Sequence, residues 1–353
     1  YRKLLHHVTP DLQLELVGLA AGQPDLHADF LPGYHRFVFY HALHDITQTL
    51  EQSPLLGCTA FAAAGAATRS GHVIVGRNFD FEGPPMFDRE KAVLFFKPSG
   101  AGKLAFASVA WTGMIGVVTG VNAAGIYASV NALRSIDKSD AGVPVELLLR
   151  EVLESAHSLD EAIDMVKRRA VLVPDLYLFA DGKSGEAAVV ERSPTRAAVR
   201  RSKDLLAVAN HALSPEFAGD VENDRLKNYL TSGARMGRVE ELLSQHRGQI
   251  DPLGEMARVA HGAADRFDQM GGITGEVVGR RAGAHGGVGF REATIVLKRP
   301  AGRRVSHAAN GRKTLYADGP FDVRQPHAKP RSHHRHRPVV RHLPVVFGQQ
   351  RGR

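Results

Sequence analysis

Cysteine is all but missing from this 353-residue chain, and Cys58 is the only one. That excludes an intrachain disulfide, a zinc site built from several thiolates and a CxxC redox motif. No run of about 18 apolar residues occurs, so the sequence contains no candidate transmembrane helix. The nearest stretch, 113–133, is broken by glycines and by Asn122 and Asn131. Only seven asparagines are present, and none begins an Asn-x-Ser/Thr acceptor. Glycine (36) and proline (18) stay below collagen or low-complexity levels, which leaves a globular protein as the expectation. The chain opens on Tyr1 rather than Met, so an upstream piece carrying a secretion signal stays open, and the compartment with it.

Enough apolar residues are present, 43% of the total, to fill the core of one large domain or two ordinary ones. A net charge of +8 invites a nucleic-acid reading, but its distribution argues otherwise. Residues 271–353 hold 17 Lys/Arg against 4 Asp/Glu, whereas residues 1–270 hold 28 against 33. The first three quarters are mildly acidic, and the tail alone makes the chain basic.

Residues 32–51 mix aromatics and histidines at spacings compatible with a helix. Short β-type runs follow at 59–68, 72–81, 92–97, 104–112, 116–121 and 126–133. The last two are joined by Asn122-Ala123-Ala124-Gly125, a hairpin-turn sequence. Helical spacing takes over at 145–157 and 159–169, with Ser158 as cap and Glu161 three positions on. Strands are expected again at 175–180, 187–191, 197–200 and 205–209, and helices at 224–230 and 235–246. A β-rich, α-pair, β-rich, α order predicts antiparallel sheets with helices layered outside rather than βαβ units.

Cys58 follows Gly57 in LLGCTAFAA. A lone cysteine is commonly a small buried hydrophobe. Three neighbours open a second reading. Gly57 gives the backbone freedom to bend so that the thiol can attack the preceding carbonyl. Cleavage there would free an α-amine on Cys58, whose reference pKa of about 7.7–8.0 suits it to act as base for its own thiol. In Gly76-Arg77-Asn78-Phe79-Asp80-Phe81, Arg77 can favour a thiolate and Asp80 can orient an ammonium, if both face the same end of neighbouring strands as Cys58. Asn131 and Asn210 each close an apolar run, and a side-chain amide N–H is a donor an oxyanion hole can use. Each of these, taken alone, is equally a strand-end turn residue.

Together, Gly57-Cys58-Thr59-Ala60-Phe61 and the GRNFDF run resemble N-terminal-nucleophile (Ntn) hydrolases of the acyl-coenzyme A:6-aminopenicillanic acid acyltransferase type, relatives of penicillin V acylase, bile salt hydrolase and acid ceramidase. The likeness continues through 120–126 with Asn131, Ala180-Asp181-Gly182 with Val190-Glu191, Ala209-Asn210-His211, and Thr231-Ser232 with Arg235 and Arg238. Upstream, residues 15–22 are similar to the family's propeptide segment. The resemblance implies an α+β fold, the αββα sandwich of two antiparallel sheets with outer helices. It implies autocleavage between Gly57 and Cys58, with Cys58 as nucleophile and Arg77 and Asp80 setting its electrostatics. Asn131 would be the oxyanion side chain and Asn210 would hold the amine or the substrate carbonyl. Arg235 would close the ring of charges, with Arg238 one turn on as its rival. No metal or organic cofactor is implied. The organisation expected is a propeptide-like segment 1–57 that stays associated, a catalytic domain 58–270, and an Arg/His-rich tail 271–353. That tail is expected to be irregular, or a product of out-of-frame translation, with residues 292–298 its one strand. The implied partner is a small acyl-amide substrate, with a homo-oligomer allowed and no nucleic acid bound by the catalytic part.

Other motifs carry less. Residues 98–103 hint at a P-loop, but Leu104 stands where Ser or Thr belongs, and a hairpin turn is expected. His41 and His44 lack a third ligand, the His333–His336 cluster reads as a solvated run, and Trp111, Phe79 and Phe81 read as core. The reading that follows is a self-processed cysteine amidohydrolase or acyltransferase working through a thioester. The competing readings are an anion or nucleic-acid binder acting through its tail on a catalytically degenerate scaffold, and an uncleaved family member.

Overall fold

A computed structural model of the protein describes residues 2–25, 27, 29–49, 56–81 and 91–251, together with the strands at 293–297 and 316–317. Four helices lead: α1 (Arg2–Leu5), α2 (Pro10–Ala21), α3 (Gly33–Tyr40) and α4 (Leu43–Thr49). Six strands follow: β1 (Leu56–Ala63), β2 (Val73–Phe81), β3 (Lys91–Phe96), β4 (Phe106–Trp111), β5 (Thr119–Asn122) and β6 (Ile126–Ala132). Then come α5 (Val145–Ser155), α6 (Leu159–Arg168), β7 (Asp175–Asp181), β8 (Glu186–Arg192), β9 (Ala197–Ser202) and β10 (Leu205–Val208). Helices α7 (Val221–Asn228) and α8 (Thr231–Gln245) and strands β11 (Ala293–Leu297) and β12 (Tyr316–Ala317) complete the description.

The strands form two sheets, ordered β10-β1-β2-β11-β12 and β3-β4-β5-β6-β7-β8-β9. Alternation along each strand builds the layers. Ala60, Ala62, Val73 and Val75 of the first sheet meet Tyr127, Leu176, Leu178 and Val189 of the second, and these residues fill the space between the sheets. On the far side of the first sheet, Phe61, Ala63 and Ile74 pack under Met236, Val239 and Leu243 of α8. On the far side of the second, Ile126, Ala128, Val130, Phe179 and Val190 pack under α5 and α6, joined by Leu12 and Leu16 of α2 and Val38 of α3. The αββα sandwich expected from the sequence is the architecture observed.

Local chemistry explains the turns and caps. Gly125 sits at φ +88° in the β5–β6 hairpin, a conformation that favours glycine. Ser158 caps α6 by accepting from the Glu161 N–H at 3.2 Å. Residues 98–103 are the β3–β4 connection, the hairpin expected there. The strand expected at 292–298 is present at 293–297, where it pairs antiparallel with β2 inside the first sheet, and a second short strand of the expected tail, β12, joins it. β12 runs parallel to β11, so that sheet is not wholly antiparallel. The remainder of 271–353, including the His333–His336 cluster, lies outside the described residues.

Candidate active site

Cys58 lies in β1 with Phe79 of β2 as its cross-strand partner, while Gly57 pairs with Asp80 and Ala60 with Arg77. Gly57 continues the strand. Because side chains alternate, Cys58, Arg77 and Phe79 share the face that looks into the sandwich. Thr59, Asn78 and Asp80 share the opposite face, toward α8. Arg77 and Asp80 therefore flank the cysteine from the two faces of the sheet, at the same end of the neighbouring strand. A separation of three along a strand requires this.

Each arginine is tied down from another element. Arg77, 3% exposed, donates to Thr119 Oγ1 of β5 and to the Val130 carbonyl of β6, and its guanidinium lies 4.7 Å from the Phe79 ring centre. Arg235, also 3% exposed, reaches from α8 to the Cys58 carbonyl and to Thr59 Oγ1. Its second terminal nitrogen donates to Asn210 Oδ1 at 2.7 Å and its Nε to Thr231 Oγ1 at 3.2 Å. Arg238 instead pairs with Glu241 at 2.8 Å on the helix surface.

Asn210 is placed by the chain leaving β10. Its Oδ1 accepts the backbone N–H of Cys58 at 2.7 Å, and its Nδ2 donates to the Ala132 carbonyl at 2.8 Å. Asn131 Nδ2 donates to the Ala209 carbonyl at 2.9 Å, which stitches the end of β6 to the same loop. Burial pushes the Cys58 thiol up from its ordinary value. Arg77, Arg235 and the Ala132 backbone N–H favour the thiolate, and Asp80 opposes it. In the intact chain Cys58 is thus a buried thiol in a positive, prepaired surround. The structure brings together Cys58, Arg77, Asp80, Asn131, Asn210 and Arg235, and adds Ala132, Thr59, Thr119 and Ser232. Thr59 and Ser232 stand in segments that carry the resemblance, but their roles rest on contacts between distant segments, up to 176 residues apart for Thr59.

Beside this ring lies a cavity of about 1120 Å3 between α2–α4 and the β4–β5 connection, lined among others by Phe37, Tyr40, His44, Phe79, Trp111 and Met114. Phe79 stacks on His44 at 6.4 Å and lies 6.3 Å from Trp111. Trp111 and Phe79, expected to be core, pack against the core beneath the second sheet and also line the cavity; the side chain of Phe81 lies outside the described residues. Both ring nitrogens of His41 are engaged by the backbone: Nδ1 faces the Phe37 carbonyl at 2.7 Å and Nε2 accepts from Ile115 N–H at 2.9 Å. Among the described residues no group of three His, Cys, Asp or Glu side chains could hold a metal ion.

Two stacked sheets between helical layers, with a strand-borne cysteine against a helix-borne arginine, describe a protein of the N-terminal-nucleophile hydrolase class. More particularly, the chain belongs to the acyl-coenzyme A:6-aminopenicillanic acid acyl-transferase family, whose model matches residues 67–269. An uncharacterized protein of Archaeoglobus fulgidus is 32% identical over 203 residues, covering 50% of this chain and 34% of its own. N-acylethanolamine-hydrolyzing acid amidase of Caenorhabditis elegans is 26% identical over 206 residues, covering 56% of this chain and 55% of its own. The chain thus matches about a third and about half of the length of these curated relatives. A variant of the conjugated bile acid hydrolase of Clostridium perfringens superposes with a TM-score of 0.47 at 16% identity, covering 68% of this chain and 86% of that one.

Proposed function

We propose that the protein is a self-processing cysteine amidohydrolase or acyltransferase that works through a Cys58 thioester. The observation that carries this reading is the capture of the Cys58 backbone nitrogen by Asn210 Oδ1 at 2.7 Å, on an oxygen that Arg235 also holds. The site is built around the nitrogen that cleavage at Gly57–Cys58 would release. In that cleavage Sγ adds to the Gly57 carbonyl carbon, the C–N bond breaks, and the thiol proton passes to the departing nitrogen. Water then opens the thioester to a Gly57 carboxylate and a free thiol. A substrate amide follows the same course, with the new α-amine as base. The second step passes the acyl group to water in a hydrolase or to another amine in a transferase. Arg77 and Arg235 stabilise the thiolate, Asp80 the ammonium. The Ala132 N–H and the second N–H of Asn131 serve the oxyanion.

The cavity beside Phe79 fits an apolar acyl group, and the relative named for hydrolysing N-acylethanolamines favours that substrate class. Because α2–α4 form one wall, the segment before Cys58 stays bound after cleavage. Leu12, Leu16 and Val38 share the core under the second sheet, and Gln48 Nε2 donates to Asp175 Oδ1 at 2.7 Å.

Intact mass and N-terminal sequencing of the purified protein test the processing. The expected products are 1–57 and a chain starting at Cys58, both lost in Cys58→Ala. Only full-length chain under every native condition tried would overturn the reading. On a series of N-acylethanolamines, kcat/KM should rise with acyl length until the cavity is full.

A further inference from the structure

Asn210 can hold the Cys58 nitrogen only if its own backbone is fixed, and two residues outside the ring fix it. The backbone N–H of Asn210 donates to Ser232 Oγ at 2.9 Å, and Ser232 Oγ lies 2.7 Å from Nδ1 of His211. Asn210, His211 and Ser232 are 2%, 3% and 1% exposed, so water does not replace these bonds. Ser232 is the second residue of α8 and Arg235 lies one turn on, so one helix end holds both the Asn210 backbone N–H and its side-chain oxygen.

A serine hydroxyl has one proton and two lone pairs. Ser232 Oγ accepts from Asn210 with one lone pair, and we assign its proton to His211 Nδ1, which receives it in the neutral tautomer that carries the ring proton on Nε2. We propose that Ser232 and His211 are positioning residues for the Cys58 chemistry: the Ser232 hydroxyl, directed by a neutral His211, holds the Asn210 backbone and with it the distance from Oδ1 to the Cys58 nitrogen. The inference rests on the self-processing reading and adds a regulation by proton to it.

The surroundings keep His211 neutral. Burial is the first cause, and Lys227 of α7, Arg235 of α8 and Arg200 of β9 act the same way, while Glu191 of β8 opposes them. The imidazole is pulled down to about 4. Below that pH, Nδ1 carries a proton and points it at Ser232 Oγ. The hydroxyl proton then loses its acceptor, and a second buried cation stands beside Arg235. Above it, the arrangement is intact.

The test compares full-length wild type, Ser232→Ala, Ser232→Thr and His211→Gln, following the split at 57/58 by mass against time from pH 3 to 8. Circular dichroism and thermal unfolding run in parallel. Ser232→Ala is expected to slow processing about tenfold, the rate equivalent of one lost hydrogen bond in a fixed site. The same loss should appear in kcat of the processed enzyme, with KM little changed. Ser232→Thr, which keeps the hydroxyl, should recover most of the rate. His211→Gln should be slower than wild type at neutral pH and lack the acid limb near pH 4. Folded Ser232→Ala that splits at the wild-type rate overturns the inference, as does folded His211→Gln with an unmoved acid limb. If Ser232→Ala does not fold, the Ser232→Thr rescue and the His211→Gln profile decide the matter. A wild-type chain that never splits is a different failure, that of the self-processing reading.

Discussion

Two buried polar regions lie near each other in this molecule and are built on opposite plans. Around Cys58 the buried charges are Arg77 and Arg235, and both are held by carbonyls, hydroxyls or an amide oxygen. At the seam where α4 meets α5 and β7, the buried charges are acids. Asp45 accepts the Val145 N–H through both oxygens, at 3.3 and 3.2 Å, and Asp175 accepts from Gln48. Among the described residues, Asp175 Oδ2, His44 Nε2 and Gln48 Oε1 have no hydrogen-bond partner. Burial first, and then repulsion by Asp45, raise Asp175 and Glu146 well above ordinary carboxylates, and burial raises Asp45 to about 7. The comparison separates two uses of burial. A paired cationic ring suits negative charge, as a thiolate and an oxyanion would bring under the proposed chemistry. An underpaired acidic seam stays stable by holding protons.

Arg235 is the member of the ring whose loss should cost most. It is the link between the Asn210 oxygen, the Cys58 carbonyl and Thr59, and its loss takes a charged donor from all three at once. Arg235→Ala is expected to slow the 57/58 split about a hundredfold or more. Arg238→Ala, which removes only a surface pair with Glu241, should stay within about twofold of wild type. Time-resolved mass spectrometry of the two variants reads both numbers. Equal rates would remove Arg235 from the chemistry and leave the ring without its helix-borne half.

The two regions also differ in how far the sequence discloses them. Strands are visible because apolar alternation and turn glycines such as Gly125 obey local rules. Gly76 in GRNFDF has a reason that needs a partner: a Cβ there would lie 2.4 Å from the Phe61 ring across the hairpin. Cys58, Arg77 and Asp80 are legible as neighbours because a short hairpin joins them, and strand parity alone could have told which faces they take. Asn210 and Arg235 are reachable through resemblance, but their bonds to Cys58 span 152 and 177 residues. Ser232 and Thr119 look like ordinary hydroxyl residues until the sandwich closes on them. The seam is silent in sequence. Asp45 in a helix rich in polar residues reads as solvated, and only tertiary packing puts it at 1% exposure beside Asp175.

That silence makes the seam the place to test the contrast by pH. Asp45 has a folded value of about 7 against the 3.8 of a solvated aspartate, with burial as the main cause. A raised folded value means stability that is fully present below pH 3.8 and is lost as pH rises through 7. Asp175 and Glu146 push in the same direction. His44, pulled down to about 3 by burial and then by Arg77, gives the opposite limb: its stability is present above pH 6.5 and is lost as pH falls. His44 is therefore neutral across the range in which Asp45 ionises and cannot pair with it. Asp45→Asn keeps the shape and the acceptor for the Val145 N–H, removes the ionisation, and relieves Asp175 of its neighbour's charge. Thermal unfolding should show wild type losing stability between pH 5 and 8, with Asp45→Asn raising the midpoint at pH 8 by about 5 °C and changing it little at pH 5. A variant with the wild-type slope would mean that the seam holds no protons. The molecule would then have one kind of buried polar region, not two.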